Sequence, residues 1–412
     1  MNVKIFQFNG CHKCFNETIL LQKDLKKSDI EYIENPYDWE LEEINVAVIT
    51  GYLLPTDQEV LKKIQSISDR VIAYGSCPTT GGLYGLANQH GHEVTPLRNL
   101  IGNPQELHGC LAEIEELSSL IQNNDPKALK NLCQVCKRRS TCEFLEKVHR
   151  QLETEDEETC FNDLGFLCSG YIAKECKERC IDYKTPCRGC KPSITRPGIR
   201  MLGMFGTLMG NIEVATEASK YGATDKLADE EDDVTDSLPD IVGNFFRFSL
   251  PTSGLPKGRI PSQGNILKDL FIGRMIEEIP LILGLLGGAH SITKTLNFIE
   301  TYEKENNITI TEKIRIYRDE LKELEGELQK AVERKDPLKY EEITTKIREI
   351  AGNMNLSNLF FGGFKTPIRD DDEFDEYRTH TFEIVEGSYK NGVLNFDLDT
   401  EGRIIDIEMK EV

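Results

Sequence analysis

The chain has 412 residues and a formal charge of −21, enough length for two or three domains and a charge that would repel nucleic acid and anionic lipid. Its longest apolar run, 279–289, falls well short of the roughly 20 residues that span a bilayer, so neither nucleic acid nor membrane is an expected partner. With no leader ahead of Val3 the expected location is cytoplasmic, where the 13 cysteines would stay reduced and serve as metal ligands rather than disulfides.

In chain order, Val3 to Phe8 reads as a first strand, followed by Cys11-His-Lys-Cys14 and a helical pattern through Leu25. Ile30 to Ile33 is a short strand, Val46 to Gly51 a buried one, Asp57 to Ile67 a helix, and Val71 to Cys77 another buried strand. Strands alternating with helices predict a doubly wound, flavodoxin-like parallel sheet, whose sites lie where strands end. Residues 131–192 hold nine cysteines among turn-forming residues, with too little apolar surface for a core of their own, so ligated metal would supply the folding energy. Residues 197–222 read as Gly-rich and helical, and 229–233 as an acidic, solvated loop. Residues 265–305 read as helical, about 311–351 as one charged helix, and the last twenty residues as a β-hairpin around Gly402. The expected domains are 1–128, a cysteine-rich insert at 129–195, a linking segment at 196–263 and a helical extension at 264–412 ending in the hairpin.

Cys-x-x-Cys serves iron–sulfur clusters, zinc and redox dithiols alike, because two intervening residues let both sulfurs face one centre. Three such pairs occur, Cys11/Cys14, Cys133/Cys136 and Cys187/Cys190, with Cys176/Cys180 one residue wider. Adding Cys77, Cys110, Cys160 and Cys168 gives twelve thiols, the ligands of three four-iron clusters. Zinc would also staple the insert, and a dithiol would also suit Cys11/Cys14. The dithiol leaves Cys77 and Cys110 unexplained, and zinc does not explain ligands at strand ends beside a separate cysteine-rich module.

Cys11-x-x-Cys14, Gly75-Ser-Cys77 with Gly81-Gly82, and Gly109-Cys110 together resemble the proximal-cluster ligands of the small, iron–sulfur subunit of [NiFe] hydrogenases. The run Cys160 to Gly170, Cys176-Lys-Glu-Arg-Cys180, Pro186-Cys-Arg-Gly-Cys190 and Phe245 to Pro251 resembles the cytoplasmic, archaeal-type group that includes deazaflavin-reducing and heterodisulfide-reductase-linked enzymes. The likeness covers residues 1–255 and implies an α/β protein: a flavodoxin-like domain with a proximal cluster on Cys11, Cys14, Cys77 and Cys110, and a ferredoxin-like insert. It further implies that Cys133, Cys136, Cys160, Cys168, Cys176, Cys180, Cys187 and Cys190 hold two more 4Fe–4S clusters, in a division that stays open, with Cys142 left over. The implied function is electron relay in a multi-subunit oxidoreductase beside iron–sulfur, flavin or heterodisulfide-reductase-like subunits, with no catalytic residue of its own.

Three departures stand out. Lys13 replaces a small residue, Thr50 stands where an acidic residue is common, and Gly109-Cys110-Leu-Ala lacks the usual prolines, all at positions that in the family face the catalytic large subunit. Lys13 either lifts the proximal potential by its charge or snorkels into solvent. Glu277 to His290 resembles the first nickel-ligand motif of that large subunit, with Leu283 and Leu286 at the cysteine positions and Leu281 at the arginine, so a degenerate large-subunit remnant without nickel is expected. His290 reads as a core residue. Three readings remain: a relay whose docking face is covered by its own extension, a true hydrogenase small subunit with a separate large subunit, and a zinc-stapled scaffold without redox activity.

Overall fold

The computed structural model describes residues 1–40, 42–124, 128–140, 158–176, 180–183, 185–191, 241–286, 288–307, 310, 312–351, 387–390, 394–400 and 402–409. The regions read as a Gly-rich helix and an acidic loop, 197–222 and 229–233, lie outside the described residues, as does Cys142.

A five-stranded parallel sheet organises the first part of the chain: β1 (Asn2–Gln7), β2 (Asp29–Ile33), β3 (Ile44–Thr50), β4 (Ser68–Tyr74) and β5 (Gln105–Leu107), in the order β2-β1-β3-β4-β5. That is the expected doubly wound order. Side chains alternate across the sheet, so Val3, Ile5, Val46, Val48 and Ile72 pack to one side with Leu21, Leu25, Leu117 and Ile121. Phe6, Ala47, Ile49 and Ala73 pack to the other with Leu61, Ile64 and Leu97. Burial on both faces is why these strands read as continuous apolar runs. The helix expected through Leu25 is broken instead, into α1 (Lys13–Glu17), a 3-10 turn and α2 (Leu21–Asp24). Next come α3 (Gln58–Ser66), α4 (Ser76–Thr80) and α5 (Ile114–Ile121).

The insert has more core than its composition suggests. Leu132, Phe161, Phe166, Ala173 and Ile181 form a small cluster in which Cys168 and Cys187 are themselves members. Its regular structure, among the described residues, is confined to α6 (Leu132–Val135) and 3-10 turns. Lys191 reaches Glu116 on α5 at 3.2 Å and so ties the insert to the first domain.

The linking segment carries α7 (Ile241–Phe245), and the extension carries, among the described residues, the short and long helices α8 (Ile266–Asp269), α9 (Ile279–Leu286), α10 (Ser291–Glu305), α11 (Glu312–Glu333) and α12 (Pro337–Ala351). The single charged helix read from the sequence is therefore two. The break is local chemistry: Lys335 takes φ 51°, Asp336 Oδ1 accepts from Leu338 N and Lys339 N at 3.1 and 3.0 Å, and Pro337 opens α12. Arg318 and Glu303 pair in both prongs at 2.7 and 2.8 Å where α11 meets α10. The terminal hairpin, β7 (Leu394–Leu398) and β8 (Ile404–Met409), stands as expected, with an unanticipated third strand, β6 (Gly387–Lys390), on its far side.

These parts are not separate bodies. One core joins Ile19, Leu83, Tyr84 and Leu86 of the first domain to Phe246, Phe248, Leu281, Leu283, Leu285, Phe298, Ile347 and Phe396, and Cys77, Cys110 and Cys190 pack against it. The extension thus lies on the strand-end side of the sheet, where the cysteines are.

Candidate metal centres

Each proximal cysteine follows a strand. Cys11 and Cys14 come after β1, Cys77 after β4 and Cys110 after β5, so parallel pairing delivers all four to one edge of the sheet. Glycines let the backbone run close to the sulfurs. Gly75 has φ 102°, and a Cβ there would sit 2.8 Å from Cys14 Sγ; Gly82 has φ 55°, and a Cβ there would sit 2.7 Å from Cys77 Sγ. Both positions combine a left-handed backbone with no room for a side chain. Gly82→Ala is therefore expected to displace Cys77 and to lower the stability of the first domain, which thermal unfolding of the protein would register.

The four thiols feel one another electrostatically. Burial pushes the Cys77 and Cys110 thiols well up; Cys11 and Cys14 add to the rise at Cys77, and Cys14, Cys11, Cys190 and Cys77 to that at Cys110. Thiols held neutral this way become ligands only when a cationic centre stabilises the thiolates, which is the condition a buried metal site meets.

The insert thiols influence one another. Burial pushes Cys133 up to about 12, with Cys168, Cys136 and Cys160 contributing, and Cys168 up to about 11, with Cys160 and Cys136 contributing. A Cβ on Gly170 would lie 3.4 Å from Cys133 Sγ and 3.5 Å from Cys168 Sγ, so these two sulfurs flank one point. Cys187, raised by burial first, feels Cys168, Cys180 and Cys190. Backbone amides are aimed at sulfur: Cys187 N donates to Cys168 Sγ and Gly189 N to Cys187 Sγ, each at 3.4 Å. Such donors stabilise cluster-bound thiolates. Asn131 caps α6 through the Cys133 amide at 3.0 Å, and Asn162 holds the Cys168 amide at 3.0 Å.

Cys190 links insert and sheet. Its carbonyl accepts from Ser76 Oγ at 2.6 Å, and its sulfur bears on Cys110. Among the described residues no three His, Cys, Asp or Glu side chains converge tightly enough to hold a single metal ion.

The extension meets the Cys11–Cys14 loop directly. Lys13, 8% exposed, donates its Nζ to the Gly284 carbonyl of α9, so it does not snorkel into solvent. Tyr340 donates to Glu17 Oε2 at 3.0 Å, and both are buried. A cavity of about 340 Å³ remains between the two, lined by Lys13, Asn16, Leu111, His290, Gln329 and Tyr340 among others. His290 contacts Gln329 at 3.2 Å. Leu281, Leu283 and Leu285 are buried as expected, and Leu286 is only partly so. Composition and spacing carry no signal for Lys13–Gly284 or Glu17–Tyr340, whose partners lie hundreds of positions apart. Also unanticipated is Arg188, between Cys187 and Cys190, whose guanidinium burial and the neighbouring Arg247 bring down to about 10.

Residues 9–123 match the family of the NADH ubiquinone oxidoreductase 20 kDa subunit. The chain is 26% identical over 306 residues to a subunit of the F420-non-reducing hydrogenase of Methanothermobacter marburgensis, covering 62% of this chain and 95% of that protein. The resemblance to hydrogenase iron–sulfur subunits holds. The iron–sulfur subunit of the F420-non-reducing hydrogenase of Archaeoglobus profundus is 24% identical over 299 residues, covering 57% of this chain and 85% of the relative. A chain of an NAD+-reducing [NiFe]-hydrogenase in the H2-reduced state superposes at a TM-score of 0.28 and 18% identity, over 31% of this chain and 94% of that one, too little to relate the folds. Among the described residues no helix is long and apolar enough to cross a membrane.

Proposed function

We propose that this chain is a hydrogenase-type electron-relay subunit of the cytoplasm carrying three 4Fe–4S clusters and no nickel site, with its own extension covering the face beside the proximal cluster. The observation that carries it is the continuity of eleven of the twelve thiols, from the Cys11/Cys14/Cys77/Cys110 set through Cys190 to Cys187 and Cys180, and on through Cys168 to Cys160, Cys136 and Cys133. When bound, clusters there supply one-electron transfer between neighbouring sites. Cys110 and Cys190 bring the first domain and the insert within mutual influence, Cys187 and Cys168 do the same within the insert, and exposed Cys133 stands at the far end. Cys176 joins Cys180, Cys187 and Cys190 by its place four residues ahead of Cys180. The residue chemistry is thus positioning and insulation, with partner redox subunits as donor and acceptor.

Two observations favour the self-covered version over a free docking face: the Lys13–Gly284 hydrogen bond and the shared core that takes in Cys77 and Cys110. The zinc scaffold is disfavoured by the number of thiols, since a structural staple needs fewer than the twelve ligand cysteines present.

Anaerobically purified full-length protein is expected to hold about twelve iron and about twelve sulfide per chain, as three four-thiolate clusters require. Four irons or fewer after reconstitution overturns the count. The same preparation is expected neither to evolve nor to take up hydrogen, because Leu283 and Leu286 offer no thiolate.

A further inference from the structure

We infer that Lys13 is a positioning residue of this relay: its ammonium, anchored on the Gly284 carbonyl of the extension, is a fixed positive charge that raises the reduction potential at the Cys11/Cys14/Cys77/Cys110 site. The inference rests on the iron–sulfur reading of those four cysteines.

A lysine placed between two ligand cysteines ordinarily sends its ammonium to water. Here the side chain is buried at 8% exposure, and its Nζ donates to Gly284 O, 271 positions away in sequence. Gly284 lies two residues from the end of α9, within the last turn, where carbonyls have no intrahelical partner and the helix dipole presents its negative end. A cation is therefore welcome there, and the carbonyl fixes its position. The charge bears on both flanking sulfurs: burial raises the Cys11 and Cys14 thiols, and Lys13 opposes that rise at each. The opposing influence at Cys14 comes from the Cys11 thiol and from Glu17, whose carboxylate takes a hydrogen bond from the Tyr340 hydroxyl. Both anchors, Gly284 and Tyr340, belong to the extension. Reducing a thiolate-ligated cluster adds one negative charge, which a cation held in a low-dielectric setting stabilises more than it does the oxidised form. The extension thus raises the affinity of the proximal position for an electron.

The test uses the full-length, anaerobically reconstituted chain and EPR-monitored redox titration, with the proximal signal assigned as the one lost in Cys77→Ser. In Lys13→Met the proximal midpoint is expected to fall far enough to change the reduced-to-oxidised ratio at a fixed potential at least tenfold, about 59 mV for a one-electron couple. The insert midpoints are expected to stay put, and Lys13→Arg is expected to restore the wild-type value. Lys13→Gln keeps a donor for Gly284 without the charge, so it should shift as Lys13→Met does. An unmoved midpoint in Lys13→Met, or a shift there that Lys13→Gln lacks, overturns the inference by assigning Lys13 a structural role. If Cys77→Ser removes no signal, the four-cysteine reading itself fails, a distinct result.

Discussion

Cys77→Ser is expected to remove about four of about twelve irons and one EPR signal, leaving two clusters in the insert, because its sulfur belongs to the set at the sheet edge. Cys133→Ser should remove a different third of the iron, at the exposed end of the relay. Cys187→Ser is the more damaging change. Its side chain is one of the few core residues of the insert, and its amide and sulfur both take part in the hydrogen bonds that join Cys168 and Gly189. Losing that side chain is expected to remove metal and packing together, since Cys187 is, among the described residues, one of the seven buried members of the insert's apolar group. The readouts are iron content, EPR and protease resistance of the insert against that of the first domain. If all three substitutions lowered iron by the same amount from a single pool, three separate clusters would be excluded.

The parts of this architecture that are legible in the sequence are those fixed by local rules. Strands β1, β3 and β4 announce themselves because both faces are buried and each carries an apolar stretch, Ile5-Phe6, Val46 to Ile49 and Val71 to Tyr74, and the cysteines because ligand spacing is a local geometric demand. Strand β5 escapes notice. It is three residues long, and its glutamine and glutamate stand out of the core while Leu107 alone is buried. The break between α11 and α12 has a local signal in Asp336-Pro337, an N-cap followed by proline, but the unbroken run of Glu and Lys around it masks that signal. The insert's core is hidden because two of its members are cysteines, which count as ligands and not as apolar volume. The burial of Lys13 is illegible for a different reason. Its partner is a backbone carbonyl in a helix that only tertiary folding brings to the Cys-x-x-Cys loop. No local pattern encodes that contact, although a lysine in place of a small residue marks the position as unusual.

The covering role of the extension gives the second large effect. Leu283, 2% exposed, belongs to the core against which Cys77 and Cys110 pack. Leu283→Ala should cost about 2–5 kcal/mol of stability through lost burial and the cavity left behind, measurable by thermal or denaturant unfolding of the metal-loaded protein. Leu283→Asp should go further, because an unpaired carboxylate in that core cannot be solvated without opening the contact between α9 and the first domain. A cluster held at the sheet edge would then meet water, oxygen and chelator, while Cys168 and Cys187 of the insert, packed with Leu132, Phe161 and Phe166, keep their surroundings. The expected result in chelator is a fast phase carrying about a third of the iron, coincident with loss of the signal that Cys77→Ser removes. Slow loss in the wild type and fast loss in Leu283→Asp would mean that this chain shields its proximal site by itself, so a second subunit is not needed to exclude solvent there. Equal lifetimes in the two proteins would mean that the apolar contact does not protect the cluster, and the face beside Cys11 and Cys14 would again be open to a separate catalytic partner.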